Sequence, residues 1–455
     1  MKIKKVLLVT PYFAPQTHAA MFRVYKLARY LPKLGYQVHV LTVDTNYLYN
    51  VDDSLLKQLP EGVVIHTAKY TEPTLRGLRM KFGGEDRTFA GLKGKAVINA
   101  SQSNKPNHPN FAMGNRKGSL VQRIKRWWSN RPDRYWTWYK HAFEKAKSII
   151  QTYNIDLVYT TTAPYTTLRL GQALQSELGI KWVADYRDPL GYSERFSQFG
   201  VQVQEQERRI VKAAMRKADH VIGLARSYEY IFSDLYQLPS SRFTFIPTGA
   251  DDAYIEAAYD KLEKRKSDDI TVLFVGEFLD EYDSNHIFRA LDQAGLQLDG
   301  RLKLKVIGRR EVNQHRVERL LNSACCDYLK LHCEFIDHIP QAQLYEDIAA
   351  AQACLLIPGN SLWWTNFAKM VDYIALQKTV IADVPLISEA RLELTKAGLG
   401  VFLGGDLIED TTELLKILER PNRRVNKQYC RLYLASSQVA SFATVFEKQI
   451  EQVSR

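Results

Sequence analysis

Short apolar runs alternate with segments of helical periodicity along most of the chain. These runs predict six strands in the first part of the chain and six in the second, at 6–9, 38–43, 156–160, 181–185, 220–224 and 243–246, and at 270–275, 304–307, 331–336, 353–357, 379–383 and 400–403. Continuous apolar runs of this length suit strands that are buried on both faces of a parallel sheet, with helices as the crossovers. The pattern therefore predicts an α/β protein with two doubly wound parallel-sheet domains.

The first crossover shows the helical period clearly. Its apolar residues recur at the spacing of one helix face, and they are Ala20, Met21, Val24, Leu27, Ala28, Leu31 and Leu34. Gly35 follows the last of them. Glycine commonly ends a helix because it adopts the left-handed conformation without strain. We therefore expect one amphipathic helix that ends at Gly35.

A polar stretch divides the chain, which has 455 residues. Residues 260–269 contain almost no apolar side chain, so they are predicted as a linker. The linker would join an N-terminal domain at 1–259 to a C-terminal domain at 270–455. Val439, Phe442 and Phe446 lie on one face of a final helix at about 438–451. This face must dock on a partner that one sequence does not identify, and the N-terminal domain is one candidate.

Composition narrows the class of protein. Hydrophobic residues make up 45% and charged residues 25%, which excludes a disordered, collagen-like or coiled-coil chain. No apolar run approaches the roughly twenty residues of a membrane-spanning helix. The opening Val6-Leu7-Leu8-Val9 run lacks the cleavage site of a signal peptide and is better interpreted as a strand. The five cysteines fit neither a disulfide framework nor paired metal-ligand spacing, so we expect a reducing, cytoplasmic location.

The positive charge is concentrated in one segment. Residues 76–147 hold 17 Lys and Arg against four Asp and Glu, whereas the net charge of the whole chain is +12. An insertion at about 76–130 accounts for much of this excess. Within it, Leu120, Ile124 and Trp127 share one helical face while Arg123 and Arg126 lie on another. Such a helix is typical of one that lies on an anionic membrane, so peripheral contact with the inner face of the membrane is predicted through 116–139.

Two other interpretations of this segment remain. The aromatic residues that continue it, Tyr135, Trp136, Trp138 and Tyr139, would in the first alternative pack on the N-terminal domain. The second alternative is binding to nucleic acid. No nucleic acid partner is expected, because no recognised binding motif is present and the remainder of the chain is close to neutral.

Four loops that follow predicted strands of the N-terminal domain carry polar side chains. They are Thr10-Pro11-Tyr12-Phe13-Ala14-Pro15, Thr160-Thr161-Thr162-Ala163-Pro164-Tyr165, Asp185-Tyr186-Arg187-Asp188-Pro189 and Pro247-Thr248-Gly249-Ala250-Asp251. Ligands of open parallel sheets bind beyond the carboxyl ends of the strands, where loop amides and helix N-termini converge. Asp185, Arg187 and Asp188 are therefore candidate functional residues, and a structural ion pair that closes their loop is the alternative.

Taken in order, these segments and others resemble the landmark motifs of family 4 glycosyltransferases, which have the GT-B fold. The motifs are Pro11-Tyr12-Phe13-Ala14-Pro15 with Arg23, Pro132-Asp133 with Trp138, Thr161-Thr162-Ala163-Pro164-Tyr165, Trp182-Val183-Ala184-Asp185-Tyr186-Arg187-Asp188-Pro189, Ile246-Pro247-Thr248-Gly249-Ala250-Asp251, Phe274-Val275-Gly276 and Lys369-Met370-Val371-Asp372-Tyr373-Ile374-Ala375. The resemblance covers nearly the whole chain apart from the basic insertion. It depends on the order and spacing of the motifs, since each alone is weak.

The resemblance implies two Rossmann-like domains facing across a cleft, and sugar transfer with retention of anomeric configuration. The family's C-terminal domain mainly holds a nucleotide-sugar donor, which places Gly276, His338, Lys369 and Asp372 on the donor side. Among them, Lys369 would meet the diphosphate, Asp372 the ribose, and the loop at 336–340 the nucleobase. The N-terminal domain mainly holds the acceptor. The residues implied there are Arg23, Thr162, Asp185 and Arg187, with Asp185, Arg187 and Lys369 as the catalytic candidates.

The chemistry that the resemblance implies places negative charge on the leaving group. As the glycosidic bond breaks, charge accumulates on the nucleoside diphosphate, so cations and amide donors aimed at it lower the barrier. No Asp-x-Asp pair occurs in the sequence. We therefore expect no metal site, and no cofactor apart from the nucleotide sugar itself as a substrate.

Several positions depart from the family pattern. Trp364 stands where the family often has a glutamate, and residues 277–283 are acidic where many members have cations. Arg309 and Arg310 are candidates to supply the missing donor-side charge, with a solvated surface pair as the alternative. His18 lies in a loop that lacks the usual glycines. It is a candidate to contact the acceptor, and an ordinary exposed histidine is the alternative.

The sequence thus predicts a retaining glycosyltransferase that acts on a cell-envelope polysaccharide or a lipid-linked acceptor at the cytoplasmic face of the membrane. Two rivals share the architecture. A nucleotide-sugar 2-epimerase would convert the donor without an acceptor, so product analysis separates it. A non-catalytic assembly subunit of the same fold is favoured by Trp364 and the acidic stretch, and it would tolerate loss of the Asp372 carboxylate.

Overall fold

The computed structural model describes residues 3–44, 51–73, 133–192, 201–262, 268–278, 284–358, 362–419 and 425–452. The chain forms two compact units. The first unit is Met1–Ile246 together with Val439–Arg455, and the second unit is Pro247–Gln438. The units therefore divide before Pro247 and not at the predicted residue 260. The reason is that helix Asp252–Leu262 buries Ile255 and Ala258 in the same apolar core as Tyr345 and Ile348 of the second unit.

The first unit contains a parallel sheet of seven strands in the order β3-β2-β1-β4-β5-β6-β7. The strands are β1 Lys4–Val9, β2 Tyr36–Val43, β3 Val64–Ala68, β4 Leu157–Thr162, β5 Lys181–Tyr186, β6 His220–Gly223 and β7 Phe243–Phe245. The six predicted strands are all present, and β3 was missed. It is an edge strand in which Ile65 and Thr67 are exposed, so it has no continuous apolar run.

Six α-helices lie within the described residues of the first unit before Ile246. They are α1 Met21–Tyr30, α2 Ser54–Lys57, α3 Tyr139–Tyr153, α4 Tyr165–Leu178, α5 Val201–Lys217 and α6 Ser227–Tyr236, with 3-10 turns at Leu31–Leu34 and Ser240–Arg242. The predicted first helix changes to a 3-10 turn at Leu31–Leu34, which contains Pro32, and ends at Gly35 with φ 82°. The final helix of the chain, Ala435–Glu451, contributes Val439, Phe442 and Phe446 to the core of this unit.

The second unit contains a parallel sheet of six strands in the order β10-β9-β8-β11-β12-β13. The strands are β8 Ile270–Val275, β9 Leu302–Ile307, β10 Cys333–Ile336, β11 Ala353–Leu356, β12 Thr379–Ala382 and β13 Gly400–Val401. Its helices are α7 Asp252–Leu262, α8 Asn285–Gln297, α9 Arg310–Ser323, α10 Asp327–Leu331, α11 Gln341–Ala350, α12 Ala368–Ala375, α13 Glu389–Ala397, α14 Leu407–Glu419 and α15 Lys427–Cys430, with a 3-10 turn at Arg431–Tyr433. The final helix, α16 Ala435–Glu451, begins in the second unit and belongs to the first unit from Val439 onward. The strand predicted at 331–336 begins later than expected, because Leu331 ends α10.

Each sheet reverses its direction of growth at one point. In the first unit the reversal lies between β1 and β4, and in the second unit it lies between β8 and β11. Ligands of such sheets bind beyond the carboxyl ends of the strands at this reversal. The loops after β1, β4 and β8 are therefore the places where the fold favours a site. Of the helices in the described part of the chain, none is long and apolar enough to cross a membrane.

Candidate functional site

The second unit brings Gly276 and Lys369 together at the reversal of its sheet. Gly276 directly follows β8 and has φ 115°, a conformation that strains any residue with a Cβ. A Cβ at this position would also overlap Nζ and Cε of Lys369. The Asn313 amide donates a hydrogen bond of 2.8 Å to the Gly276 carbonyl and holds this turn in place. The backbone conformation therefore favours glycine here, and a Cβ would displace the end of the Lys369 side chain.

Lys369 is a partly buried cation at the second position of helix α12. Its Nζ lies 4.8 Å from the centre of the Phe274 ring. Burial lowers the pKa of Lys369 to about 8, although the negative charge of Glu277 acts in the opposite direction. Among the described residues, its ammonium group has no hydrogen bond or ion pair. The first turn of a helix carries a partial positive charge of its own, so this end of the sheet is suited to an anion.

The acidic residue beside Gly276 is neutralised by arginines. Glu277 lies 3.3 Å from Arg309 and 3.0 Å from Arg316, measured between carboxylate oxygens and guanidinium nitrogens. Arg316 also donates to the Phe278 carbonyl at 2.6 Å. Arg309 is thus occupied with Glu277 instead of being the free donor-side cation of the sequence prediction, and Arg310 begins the exposed end of α9. Residues 279–283 of the acidic stretch lie outside the described residues.

Asp372 lies on the same helix as Lys369 and is held by a buried tyrosine. The Tyr345 hydroxyl donates a hydrogen bond of 2.6 Å to Asp372 Oδ1. Burial and the neighbouring Asp372 carboxylate raise the pKa of Tyr345 far above its ordinary value, so Tyr345 stays a donor. His338 is exposed in the loop between β10 and α11, where its main-chain N–H donates to Asp337 Oδ1 at 2.8 Å. Trp364 is buried, with 5% of its surface exposed.

In the first unit, Asp185 and Arg23 form a fully buried ion pair. Arg23 donates from Nε to Asp185 Oδ2 at 2.8 Å and from Nη2 to Oδ1 at 2.9 Å. The Tyr159 hydroxyl donates to Oδ2 at 2.6 Å. Although burial acts against its charge, Asp185 raises the pKa of Arg23. The sequence alternative of an ion pair within the loop was therefore wrong in its partner, because Asp185 pairs with Arg23 and not with Arg187.

Arg187 and Thr162 meet through the main chain. The Arg187 side chain donates from Nε to the Thr162 carbonyl at 3.1 Å and from Nη2 to the Ala163 carbonyl at 2.9 Å. The Thr162 hydroxyl is buried and donates to the Asp185 carbonyl at 3.0 Å. Thr162 thus positions Arg187 with its carbonyl while its hydroxyl is turned into the sheet.

His18 stacks on Tyr12 in the loop after β1. Their ring centres lie 4.5 Å apart with the planes inclined by 9°. The aromatic segment at 133–139 reaches the same place, since Tyr135 packs edge-on to Tyr12 with ring centres 5.3 Å apart. Tyr135 and Trp138 are buried, with 5% and 0% of their surface exposed, so these two residues pack within the first unit and do not face a membrane. The rest of the predicted membrane helix, at 116–132, lies outside the described residues.

The same architecture occurs in solved structures of sugar-transferring enzymes. A sucrose-phosphate synthase from Thermosynechococcus elongatus has a TM-score of 0.58 at 15% sequence identity, over 99% of this chain and 100% of that one. A trehalose-phosphate synthase (UDP-forming) from Burkholderia vietnamiensis has a TM-score of 0.60 at 13% identity, over 100% and 99%. A glycosyltransferase from Rickettsia africae has a TM-score of 0.59 at 13% identity, over 99% of both chains.

The chain has the GT-B fold. The predicted pair of Rossmann-like parallel-sheet domains is therefore confirmed. No protein-family model matches the sequence, and no curated protein matches it. Because the structural likeness is at low sequence identity, it shows the fold, and the chemistry has to be argued from this chain's own residues.

Sequence reasoning missed the residues that hold the candidate groups in place. Tyr345 supports Asp372, Asn313 fixes the turn at Gly276, and the charge of Arg134 acts on Tyr12. Each acts on a group that is far away in the chain, so no local pattern or spacing marks it. Only sequence position gave an indication, since Tyr12 lies within one of the motifs described above and Tyr135 lies next to another.

Proposed function

We propose that this protein is a retaining, metal-independent glycosyltransferase of the hexosyltransferase type. It moves a sugar from a nucleoside diphosphate to a cell-envelope polysaccharide or a lipid-linked acceptor at the cytoplasmic face of the membrane. The observation that carries the proposal is Lys369, a partly buried ammonium group at the N-terminus of α12 and beside the glycine turn at the reversal of the second sheet.

A diphosphate would resolve the electrostatic conflict at Lys369. The ammonium group lies at the positive end of a helix, where a cation is unfavourable and an anion is favourable. Burial has already lowered its pKa to about 8. A bound diphosphate would stabilise the charged lysine and accept hydrogen bonds from the free amides of the helix. As charge develops on the leaving phosphate, the same groups would stabilise the transition state.

Asp372 is the proposed ligand of the ribose hydroxyls. Its carboxylate lies one helical turn from Lys369, and the hydrogen bond from Tyr345 holds it in one orientation. A carboxylate with a fixed orientation can accept from hydroxyl groups at low entropic cost. The loop at 336–340 and His338 remain the proposed contacts of the nucleobase.

The acceptor side of the proposal belongs to the first unit. Arg187 is held there by two carbonyls, and the His18 and Tyr12 rings lie beyond the carboxyl end of β1. The buried Arg23–Asp185 pair supports this end of the sheet and is proposed to shape the acceptor site without touching the substrate. The membrane location is supported by the basic excess at 76–147, of which 17 residues are Lys or Arg.

The direct test is binding of nucleoside diphosphates by calorimetry and thermal shift, with UDP first because a structural neighbour is a UDP-forming synthase by name. Lys369→Met should weaken binding about 10–100-fold, as expected for losing a charge-assisted hydrogen bond. Lys416→Met is the matched control, because Lys416 is an exposed lysine of the same unit. It should leave affinity unchanged.

Absence of binding for UDP, GDP, ADP and TDP in a folded protein would contradict the proposal and favour a non-catalytic subunit. Release of a 2-epimerised nucleotide sugar without any acceptor would instead identify an epimerase. Incorporation of labelled sugar into an envelope acceptor, with α-linked product from an α-linked donor, would support transfer with retention.

A further inference from the structure

Five side chains of the first unit form a cationic and aromatic group beyond the carboxyl end of β1. They are Tyr12, His18, Arg134, Tyr135 and Arg187, and they are called the Arg134–Arg187 cluster below. The ring contacts of Tyr12 with His18 and with Tyr135 hold three of them together. The positive charges of Arg134 and Arg187 both act on Tyr12 and on His18, so the two guanidinium groups lie within electrostatic range of these rings.

The two arginines of the cluster are charged groups without an ion pair among the described residues. Arg187 is fixed by the carbonyls of Thr162 and Ala163, which orient the guanidinium group but do not cancel its charge. Glu72 is a buried acid whose charge acts on Arg134, and Asp133 is a second nearby acid whose oxygens are occupied. They accept from the Thr166 amide and hydroxyl at 2.8 and 2.9 Å and from the Tyr135 amide at 2.7 Å.

His18 adds a hydrogen-bond donor to the two cations. Its Nδ1 accepts from the Ala20 main-chain N–H at 3.0 Å, so the proton of the neutral ring is on Nε2. His18 is exposed, but partial desolvation lowers its pKa, and the charges of Arg187 and Arg134 lower it further. At neutral pH the cluster therefore offers two guanidinium groups and an imidazole N–H, which are all donors. Guanidinium forks match the oxygens of a phosphoryl group, and two of them match its double negative charge.

We propose that the Arg134–Arg187 cluster binds a phosphoryl group carried by the acceptor. The acceptor would then be a phosphorylated molecule, either a sugar phosphate or a lipid diphosphate. The aromatic rings of Tyr12 and Tyr135 would lie against the sugar or the lipid stem beside the phosphate. The role of this molecule as a sugar acceptor depends on the glycosyltransferase function proposed above. Binding of a phosphoryl group at this cluster does not depend on it.

The test uses His18 as a reporter in the full-length protein. Histidine is isotopically labelled, the His18 resonance is assigned with a His18→Gln variant, and its pH titration is followed by NMR with and without inorganic phosphate. All samples carry Lys369→Met so that the second unit does not compete for phosphate. Bound phosphate should raise the pKa of His18 by about one unit, because a nearby anion favours the charged ring.

Arginine variants show whether the effect comes from this cluster. Arg134→Gln and Arg187→Gln should each weaken the phosphate effect about tenfold or more, since each removes one charge-assisted contact. Arg209→Gln is the control, because its side chain is 83% exposed on helix α5 of the same unit. If Arg187→Gln does not fold, Arg134→Gln carries the test alone. A His18 titration that ignores phosphate, or a shift that persists in Arg134→Gln, would overturn the proposal.

Competition then identifies the source of the phosphoryl group. A hexose 6-phosphate and a short isoprenoid diphosphate in detergent micelles are each compared with the unphosphorylated compound. Displacement of inorganic phosphate by the first compound indicates a soluble sugar phosphate, and displacement by the second indicates a lipid acceptor. If neither competes better than inorganic phosphate, the phosphorylated acceptor is excluded. Failure of UDP to bind would contradict the proposed function and leave the phosphoryl site standing.

Discussion

The two units of this protein differ in whether the charge of a candidate site residue is compensated by an ion pair. In the first unit, the carboxylate of Asp185 is fully compensated by Arg23 in a bidentate pair, with Tyr159 as a further donor. In the second unit, the ammonium group of Lys369 is partly withdrawn from water, and its pKa falls to about 8. Among the described residues, no hydrogen bond or ion pair compensates it.

We infer from this difference that Asp185 is a structural charge and that Lys369 is a charge which an anionic ligand would compensate. Removing one partner of a buried ion pair leaves an uncompensated charge, so the loss of either Arg23 or Asp185 alone should destabilise the first unit. An uncompensated cation at a helix N-terminus instead costs stability in the free protein, and an anionic ligand recovers that cost. The two charges should therefore respond differently to substitution.

The largest effect is expected from breaking the compensated pair. Arg23→Met should lower the free energy of unfolding by about 3–5 kcal/mol, because Asp185 would stay buried without its cation. Chemical denaturation measures this loss. The double variant Arg23→Met/Asp185→Asn should be more stable than Arg23→Met alone, since it also removes the charge. Equal stability of the single variant and the wild type would show that the pair contributes nothing.

A smaller loss is expected from disturbing the turn beside Lys369. Gly276→Ala should destabilise the second unit by about 1–3 kcal/mol, because an alanine at φ 115° is strained and its Cβ overlaps Lys369. UDP affinity should fall with it, as the lysine is displaced. Gly404→Ala is the matched control, since a Cβ there meets nothing within 4 Å and needs no unusual φ. If both variants behave alike in denaturation and calorimetry, the turn does not position Lys369.

Glu207 of the first unit is a third residue at which the effect of burial on a charged group can be tested. Burial raises the pKa of Glu207 to about 7, and 6% of its surface is exposed. A carboxyl whose pKa is raised on folding favours the folded state below its ordinary pKa, and this advantage is lost as pH rises through about 7. Glu207→Gln should therefore be more stable than the wild type at pH 8 by about 1–2 kcal/mol, allowing for solvent screening.

The control for Glu207 is Glu205→Gln on the same helix, where the side chain is 58% exposed. It should change stability little at either pH. The advantage of Glu207→Gln should disappear at about pH 4, where the wild-type carboxyl is protonated in both the folded and the unfolded chain. The measurement is the denaturant midpoint of each variant and of the wild type at the two pH values. If Glu207→Gln differs from the wild type equally at both, the ionisation of Glu207 is not the cause.

The smallest expected effect is a pH dependence of UDP binding. Lys369 loses its proton as pH rises through about 8, so the free protein then offers the diphosphate a neutral amine. Affinity should weaken by up to about tenfold between pH 7 and 9, which is about 1.4 kcal/mol. Lys369→Arg should remove this dependence because arginine stays charged. A flat profile for the wild type in calorimetry would mean that the lysine does not contact the diphosphate.

Much of the fold followed from local pattern. The apolar runs predicted twelve of the thirteen strands, since a strand that is buried on both faces leaves a continuous apolar run in the sequence. Strand β3 was not predicted, because one of its faces is exposed and it therefore lacks a continuous apolar run. The boundary at 260 also failed, because the polar stretch 260–269 begins near the end of helix Asp252–Leu262, and this helix already packs Ile255 and Ala258 in the core of the second unit.

The candidate site was predicted less completely than the fold. The motifs located Gly276, Lys369 and Asp372 on one sheet edge, because they follow strands or open a helix near the reversal of the sheet. They could not show that Arg309 is occupied by Glu277, or that Asp185 pairs with Arg23 across 162 positions of sequence. Partner choice between distant side chains leaves no mark in local spacing.

The sequence by itself determined the class of the protein, the parallel strands and the identity of the groups that can carry charge, because periodicity and side-chain chemistry are local properties. Only the tertiary structure decided which charges are compensated and which are left for a ligand. That decision depends on burial and on neighbours brought from far along the chain. Burying a charge costs free energy in both units. Arg23 offsets this cost at Asp185, whereas no ion pair among the described residues offsets it at Lys369.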